Sequence, residues 1–189
     1  YNFDGKLISR ELDGSINSST YGATIKRSKK LANALTKLGV NIHDRVATIA
    51  WNNSRHFETY FAVSGMGAIL HTLNPRYSPD QLIYILNHAE DTVLIIDATF
   101  IPLVESVQDR LDTVETIIVT SSLDTIPENN LKNVLSYEEL IKDESDQYDW
   151  PELDEDDAAS LCYTSGTTGN PKGVLYSHRS TILHAISIS

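Results

Sequence analysis

Residues 45–51 read Arg45-Val-Ala-Thr-Ile-Ala-Trp51, a run of apolar and β-branched residues that predicts a strand buried on both faces. A helical pattern follows over roughly residues 55–66, and a second apolar strand follows at 68–73. A strand, a helix and a strand in succession form the unit that builds parallel sheets. This stretch therefore predicts an α/β fold.

The same alternation continues downstream. Residues 78–81, Ser-Pro-Asp-Gln, combine a capping Ser, a Pro in the first helical position and a Gln three residues after the cap, which predicts a helix running to about His88. Short apolar runs at 92–97 and 115–120 predict strands, and residues 101–111 predict a helix between them. We expect a mostly parallel sheet flanked by helices on both sides.

Upstream, the pattern changes to a hairpin. Residues 6–12 and 15–20 flank Asp13-Gly14, a dipeptide suited to the positive φ angles of a tight turn. Thr20 then caps a predicted amphipathic helix, and Gly39 suits its C-terminal end. The sequence thus predicts an N-terminal β-hairpin followed by a long helix.

Composition narrows the class of protein. The chain has 189 residues and a net charge of −11, which argues against a broad surface for nucleic acid or anionic lipid. No apolar run approaches the roughly 20 residues that span a bilayer, and the first residues lack the pattern of a secretory signal. Cys162 is the single cysteine, which agrees with a reducing compartment. A cytoplasmic protein is the expectation.

Charge also suggests three segments. Nine of the fifteen residues at 143–157 are acidic, whereas 158–189 contains no acid. We predict an N-terminal α/β subdomain over residues 1–142, a solvated acidic linker over 143–157, and the start of a nucleotide-binding segment over 158–189. Because Tyr1 is not an initiator Met and the last apolar segment stops without a helix-ending residue, we expect the chain to be a fragment.

The segment that carries chemistry is Tyr163-Thr-Ser-Gly-Thr-Thr-Gly-Asn-Pro-Lys-Gly173, between predicted strands at 158–164 and 174–177. Its glycines let the backbone approach a ligand, and successive N–H groups in such a turn form an anion-binding concavity. Hydroxyls add donors, and Lys172 adds a mobile positive charge. These groups together favour a polyphosphate ligand.

Two other interpretations of this loop are weaker. A Walker A loop requires Gly-Lys followed by Ser or Thr and then a helix, but here Lys172 follows Pro171 and precedes Gly173, and a strand is predicted next. A flexible Ser/Gly linker has no reason to hold one Lys after Pro between two buried strands. The sequence favours a phosphate loop of another kind.

These eleven residues resemble the phosphate-loop signature of the adenylate-forming superfamily, which includes acyl-CoA synthetases, peptide-synthetase adenylation domains and luciferases. The rest of the chain is similar to that family from about Arg10 onward. Residues 50–53, 71–76 and 87–91 look most like medium- and long-chain fatty acyl-CoA synthetases. The resemblance implies that ATP and a carboxylate give an acyl-adenylate, from which the CoA thiol then displaces AMP.

The resemblance also implies which residues bind. The β- and γ-phosphates of ATP would be held, with Mg²⁺ sharing their charge, by Thr164, Ser165, Gly166, Thr167, Thr168, Gly169 and Lys172. No catalytic residue and no protein metal site is expected within these 189 residues, and the fragment alone is expected to be inactive.

Three functions remain open at this point. The first is ATP-dependent activation of a fatty acid, with CoA as co-substrate and a homodimer left open. The second is adenylation of an aryl or amino acid. The third is a naturally short chain that binds nucleotide or a partner protein without chemistry.

Overall fold

The structure is a computed structural model that describes residues 4–11, 14–164 and 169–188. Nine strands are present in these residues: β1 (Lys6–Arg10), β2 (Ile16–Thr20), β3 (Arg45–Ile49), β4 (Ile69–Thr72), β5 (Val93–Ile96), β6 (Thr116–Val119), β7 (Val134–Ser136), β8 (Ala158–Thr164) and β9 (Lys172–Ser177). The α-helices of the same residues are α1 (Tyr21–Lys37), α2 (Ser54–Gly65), α3 (Pro79–Ala89), α4 (Ile101–Glu105), α5 (Tyr137–Lys142) and α6 (His178–Ser187).

Seven of the strands form one sheet in the order β7-β6-β5-β3-β4-β8-β9. All neighbours are parallel except β8 and β9, which are antiparallel. The predicted mostly parallel sheet is therefore confirmed. The parallel strands end at one common edge, which is where ligands bind in open α/β sheets.

The core lies on both faces of this sheet. One face packs against α1, α2 and α5 through residues such as Leu35, Val63 and Tyr137. The other packs against α3 and α4 through Leu82, Leu86 and Val104. Alternate residues of one strand serve opposite faces, as with Ile95 and Ile96 of β5. This explains why the central strands are continuously apolar.

The N-terminal hairpin is also confirmed. Strands β1 and β2 pair antiparallel, with Arg10 opposite Ile16. Gly14 has φ +86° and its N–H donates to the carbonyl oxygen of Glu11 at 3.0 Å. Asp13, the other half of the predicted turn dipeptide, lies outside the described residues. Glycine meets the positive φ at the end of this turn at no steric cost.

Local signals at helix ends proved reliable. The Thr20 side chain accepts from Ala23 N–H at the start of α1, and Gly39 follows its end with φ +90°. At the start of α3, Ser78 and Gln81 form a complete capping box with Pro79 in the first turn. These bonds satisfy backbone groups that a helix end leaves unpaired.

Three details differ from the sequence expectation. The helix predicted over 101–111 is only α4, followed by a 3₁₀ turn at Gln108–Arg110. Strand β7 and helix α5 were not predicted, because a three-residue strand is too short to show a period. Strand β9 begins at Lys172, two residues before its predicted start.

The acidic segment at 143–157 packs against helices α1 and α2. Asn33 donates to the carbonyl oxygens of Ser145 and Gln147, both at 2.9 Å. A Cβ added at Gly65, the last residue of α2, would lie 2.8 Å from the Trp150 ring. The division of the chain at this segment stays a prediction.

Within the part of the chain that the structure describes, none of the helices is both long and apolar enough to cross a membrane.

Candidate phosphate-binding site

The base of the Gly-rich loop is formed by β8 and β9. Thr164 is the last residue of β8 and lies opposite Lys172, the first residue of β9. Both side chains are exposed. Because β8 is parallel to β4, the loop leaves the sheet at the edge where the parallel strands end. The structure thus brings a hydroxyl and an ammonium group together at this edge.

Between these two residues, the structure describes residues 169–171. Gly169 has φ +86°, and a Cβ at this position would meet nothing within 4 Å. Its positive φ is a conformation that favours glycine. The other predicted phosphate ligands, Ser165, Gly166, Thr167 and Thr168, lie outside the described residues. Of the seven predicted binding residues, three can therefore be placed.

The element after the loop agrees with the sequence analysis. Lys172 opens a strand, and the next helix, α6, begins only at His178. A Walker A lysine stands instead at the start of a helix. The structural context is therefore not that of a Walker A loop.

Charge near the loop is distributed unevenly. The Arg179 guanidinium pairs with the carboxylate of Glu155 in the acidic segment. For Lys172, no carboxylate of residues 4–11, 14–164 or 169–188 lies within salt-bridge distance. The ammonium group of Lys172 is therefore available to an anion from solution.

A second group of polar residues occupies the same edge and was not predicted. Asp97, directly after β5, is 1% exposed. It accepts from the Trp51 N–H after β3, from Asn53 Nδ2 at 3.2 Å, and from the Thr120 hydroxyl after β6. A buried carboxylate is stable here because each neighbouring strand end supplies a donor. Asp97 thus fixes three strand ends at the edge of the sheet.

The described residues contain no group of three or more His, Cys, Asp or Glu side chains that could hold a metal ion. Mg²⁺ in nucleotide sites is commonly held by substrate phosphates together with one or two carboxylates. A metal ion that arrives on a polyphosphate is compatible with this arrangement.

Comparison with known proteins identifies relatives over almost the whole chain. A family model described as AMP-binding enzyme matches residues 6–189. The 3-methylmercaptopropionyl-CoA ligase of Ruegeria lacuscaerulensis is 46% identical over 187 residues, which are 99% of this chain and 35% of that protein. The medium-chain-fatty-acid–CoA ligase of Ectopseudomonas oleovorans is 46% identical over 182 residues, 96% of this chain and 33% of that protein.

Solved structures agree with these sequence matches. An anthranilate CoA ligase in complex with anthranoyl-AMP superposes with a TM-score of 0.82 and 28% identity, covering 90% of this chain and 32% of that one. The chain thus spans about a third of the length of the curated relatives it matches.

Proposed function

This chain belongs to the AMP-binding enzyme family, and from that premise we propose that the whole protein activates a fatty acid with ATP and transfers the acyl group to CoA. The observation that carries the proposal is the placement of Lys172 opposite Thr164, at the sheet edge where the Gly-rich loop begins and ends. Identity of 46% to a medium-chain-fatty-acid–CoA ligase supports the substrate class.

In the first step, a carboxylate oxygen of the fatty acid attacks the α-phosphorus of ATP, and pyrophosphate leaves. Negative charge develops on the leaving group, so donors and cations placed around it lower the barrier. We assign this role to Thr164, Ser165, Gly166, Thr167, Thr168, Gly169 and Lys172. Mg²⁺, bound through the phosphate oxygens, would share the charge.

In the second step, the CoA sulfur attacks the acyl carbon of the adenylate and AMP leaves. The resulting thioester is the proposed product. We further propose that the protein acts in the cytoplasm, and a homodimer remains compatible with the proposal.

Lys172→Ala in the whole protein tests the loop. Adenylation, measured as fatty-acid-dependent exchange between ATP and pyrophosphate, should fall about 100-fold, since a charged contact to the leaving group is lost. Fatty-acid binding, measured by titration calorimetry, should stay the same because the ammonium group contacts phosphate.

A matched control is Lys132→Ala. Lys132 pairs with Asp109 on the surface beside β7, at the opposite end of the sheet. This substitution should leave the exchange rate within about twofold, as expected for an exposed ion pair. An exchange rate in Lys172→Ala equal to that of this control would rule out the phosphate role.

A second candidate substrate is an aromatic acid, since an anthranilate CoA ligase superposes well. The same exchange assay with fatty, aromatic and amino acids separates the candidates. Exchange with octanoate but not with benzoate or anthranilate supports the proposal, and the reverse order contradicts it.

A further inference from the structure

Tyr163 is the residue of β8 that directly precedes Thr164, and its side chain is 9% exposed on the α3 face of the sheet. We propose that Tyr163 is a positioning residue that fixes both strands at the base of the Gly-rich loop, and that its hydroxyl contact with His88 sets how tightly the protein holds ATP. This inference rests on the proposed function and adds a residue outside the phosphate-binding set.

Helix α3 holds Tyr163 from two directions. The Tyr163 hydroxyl lies 2.7 Å from His88 Nδ1 in the last turn of the helix. The Tyr77 hydroxyl, just before the helix, donates to the backbone oxygen of Tyr163 at 2.8 Å. The side chain and the backbone of the same residue are thus tied to opposite ends of α3. Rotation of β8 about its axis would break one bond or the other.

The ring of Tyr163 rests on a buried pair. Its centroid lies 5.2 Å from the ring of His71 in β4. His71 Nδ1 is in turn 2.7 Å from Asp91 Oδ2, and both of these side chains are fully buried. A pair held this way has one orientation, so it offers Tyr163 a fixed surface.

Burial also favours the protonated form of the Tyr163 hydroxyl group. Burial raises the pKa of Tyr163, and the nearby Asp91 carboxylate raises it further. A phenol with a raised pKa keeps its proton at neutral pH. The hydroxyl group therefore remains a hydrogen-bonding partner of His88 under working conditions.

The same ring contacts the strand that follows the loop. Tyr163 lies opposite Gly173 in the β8–β9 register. A Cβ added at Gly173 would come within 3.2 Å of Tyr163 Cζ. The ring thus packs directly on the backbone of β9, next to Lys172. Movement of Tyr163 would displace Thr164 on one strand and Lys172 on the other.

The test compares Tyr163→Phe with Tyr84→Phe in the whole protein. Tyr163→Phe keeps the ring and removes the hydroxyl contact with His88. Tyr84, one turn before His88, stacks on it with ring centroids 5.2 Å apart. Tyr84→Phe therefore removes a hydroxyl from the same neighbourhood and leaves the Tyr163–His88 contact intact.

We expect Tyr163→Phe to raise KM for ATP about fivefold, the factor that corresponds to the net free energy of one ordinary hydrogen bond. KM for the fatty acid should be unchanged. His88→Asn, which keeps a hydrogen-bonding group near the position of Nδ1, should restore much of the affinity that His88→Ala loses. Tyr84→Phe should behave as wild type. A role confined to core packing would instead raise both KM values together and lower the melting temperature, which would overturn the inference.

A second measurement does not depend on activity. Hydrogen exchange of the Lys172 and Gly173 amides should be about fivefold faster in Tyr163→Phe than in wild type or Tyr84→Phe. Equal exchange rates in all three proteins would overturn the positioning role. Absence of ATP–pyrophosphate exchange in the wild-type protein would count against the proposed function, whereas the amide measurement would still decide the role of Tyr163.

Discussion

Asp97 joins the ends of three strands through one carboxylate. Replacement by Ala would leave buried donors on Asn53 and Thr120 without their acceptor, and unpaired buried groups cost more than a lost bond alone. We predict that Asp97→Ala lowers the free energy of unfolding by about 3 kcal/mol. Urea titration of the whole protein, followed by far-ultraviolet circular dichroism, measures this change.

Asp124→Ala is the control for that substitution. Asp124 is exposed in a surface 3₁₀ turn, Leu123–Thr125. Its removal should change the unfolding free energy by no more than about 0.5 kcal/mol. If the Asp97 and Asp124 variants unfolded at the same urea concentration, the strand ends would not depend on Asp97.

Some residues of the candidate site could be recognised from the sequence and others could not. Lys172 and Gly169 were recognised because their neighbours in the chain form a motif. His88 and Tyr163 are 75 residues apart, and Asp97 and Trp51 are 46 apart, so nothing local marks these contacts. The packing of α3 on the sheet brings the first pair together, and the pairing of β3 with β5 brings the second pair together. Single-sequence patterns specify neither arrangement.

Helices α1, α2 and α5 are joined by a network of charges. Glu138 of α5 accepts from Arg27 of α1 at 2.9 and 3.1 Å and from Arg55 of α2 at 2.7 Å. Arg27 also donates to Glu58, which accepts from the Tyr137 hydroxyl. Burial alone would raise the pKa of Glu138, but the two guanidinium groups outweigh it and lower this pKa.

The lowered pKa gives a pH dependence with a definite sign. A carboxyl group whose pKa is lower in the folded state stabilises the protein above its unfolded pKa, and this stabilisation is lost as pH falls through the folded value. We predict that Glu138→Gln is less stable than wild type near pH 7, and that the difference shrinks on acidification below about pH 4. Thermal melts across that range measure it.

Two comparisons make this result specific. Glu128→Gln, an exposed position, should track wild type at every pH. Burial raises the pKa of Glu58 in the same network. Protonation of Glu58 on acidification therefore favours the folded state, whereas protonation of Glu138 disfavours it. A stability difference between Glu138→Gln and wild type that stayed constant from pH 7 to the acid range would contradict the prediction.

At the scale of elements, the sequence was informative where a period or a cap was present. The capping box of α3 and the apolar runs of β3 and β5 were identified correctly. Helix α5 was missed, although Ser136 caps it, because its six residues span less than two turns. Helix α4 ends at Glu105, although the helix was predicted to run to residue 111, and nothing in the local sequence explains this end.

For the whole molecule, the fold class was predicted from the alternation of strands and helices, and the family was predicted from the residues of the Gly-rich loop. Both predictions are confirmed. The order of the strands was not predicted. The pairing of β8 with β4, which positions the loop, depends on packing between segments that are far apart in the sequence.

We predict that these 189 residues alone form no acyl-CoA from ATP, fatty acid and CoA, whereas the whole protein does. The chain spans about a third of the length of related ligases, and the described residues supply one part of the proposed site. Thioester formation, measured by mass spectrometry, tests this, with circular dichroism showing that the short chain is folded. Turnover by the 189 residues would refute it.

The position of β8 in the sheet also governs when the loop can form during synthesis. Thr72 of β4 contacts Cys162 of β8 across 90 residues of chain. Strands β5, β6 and β7, which add to the other side of β3, all leave the ribosome before β8 does. At roughly 5–20 residues per second, one edge of β4 therefore waits about 5–20 s for its partner. The nascent chain therefore contains five of the seven strands of this sheet, β3 to β7, before the loop has been made. Nucleotide bound at the loop can act only on the steps of folding that follow.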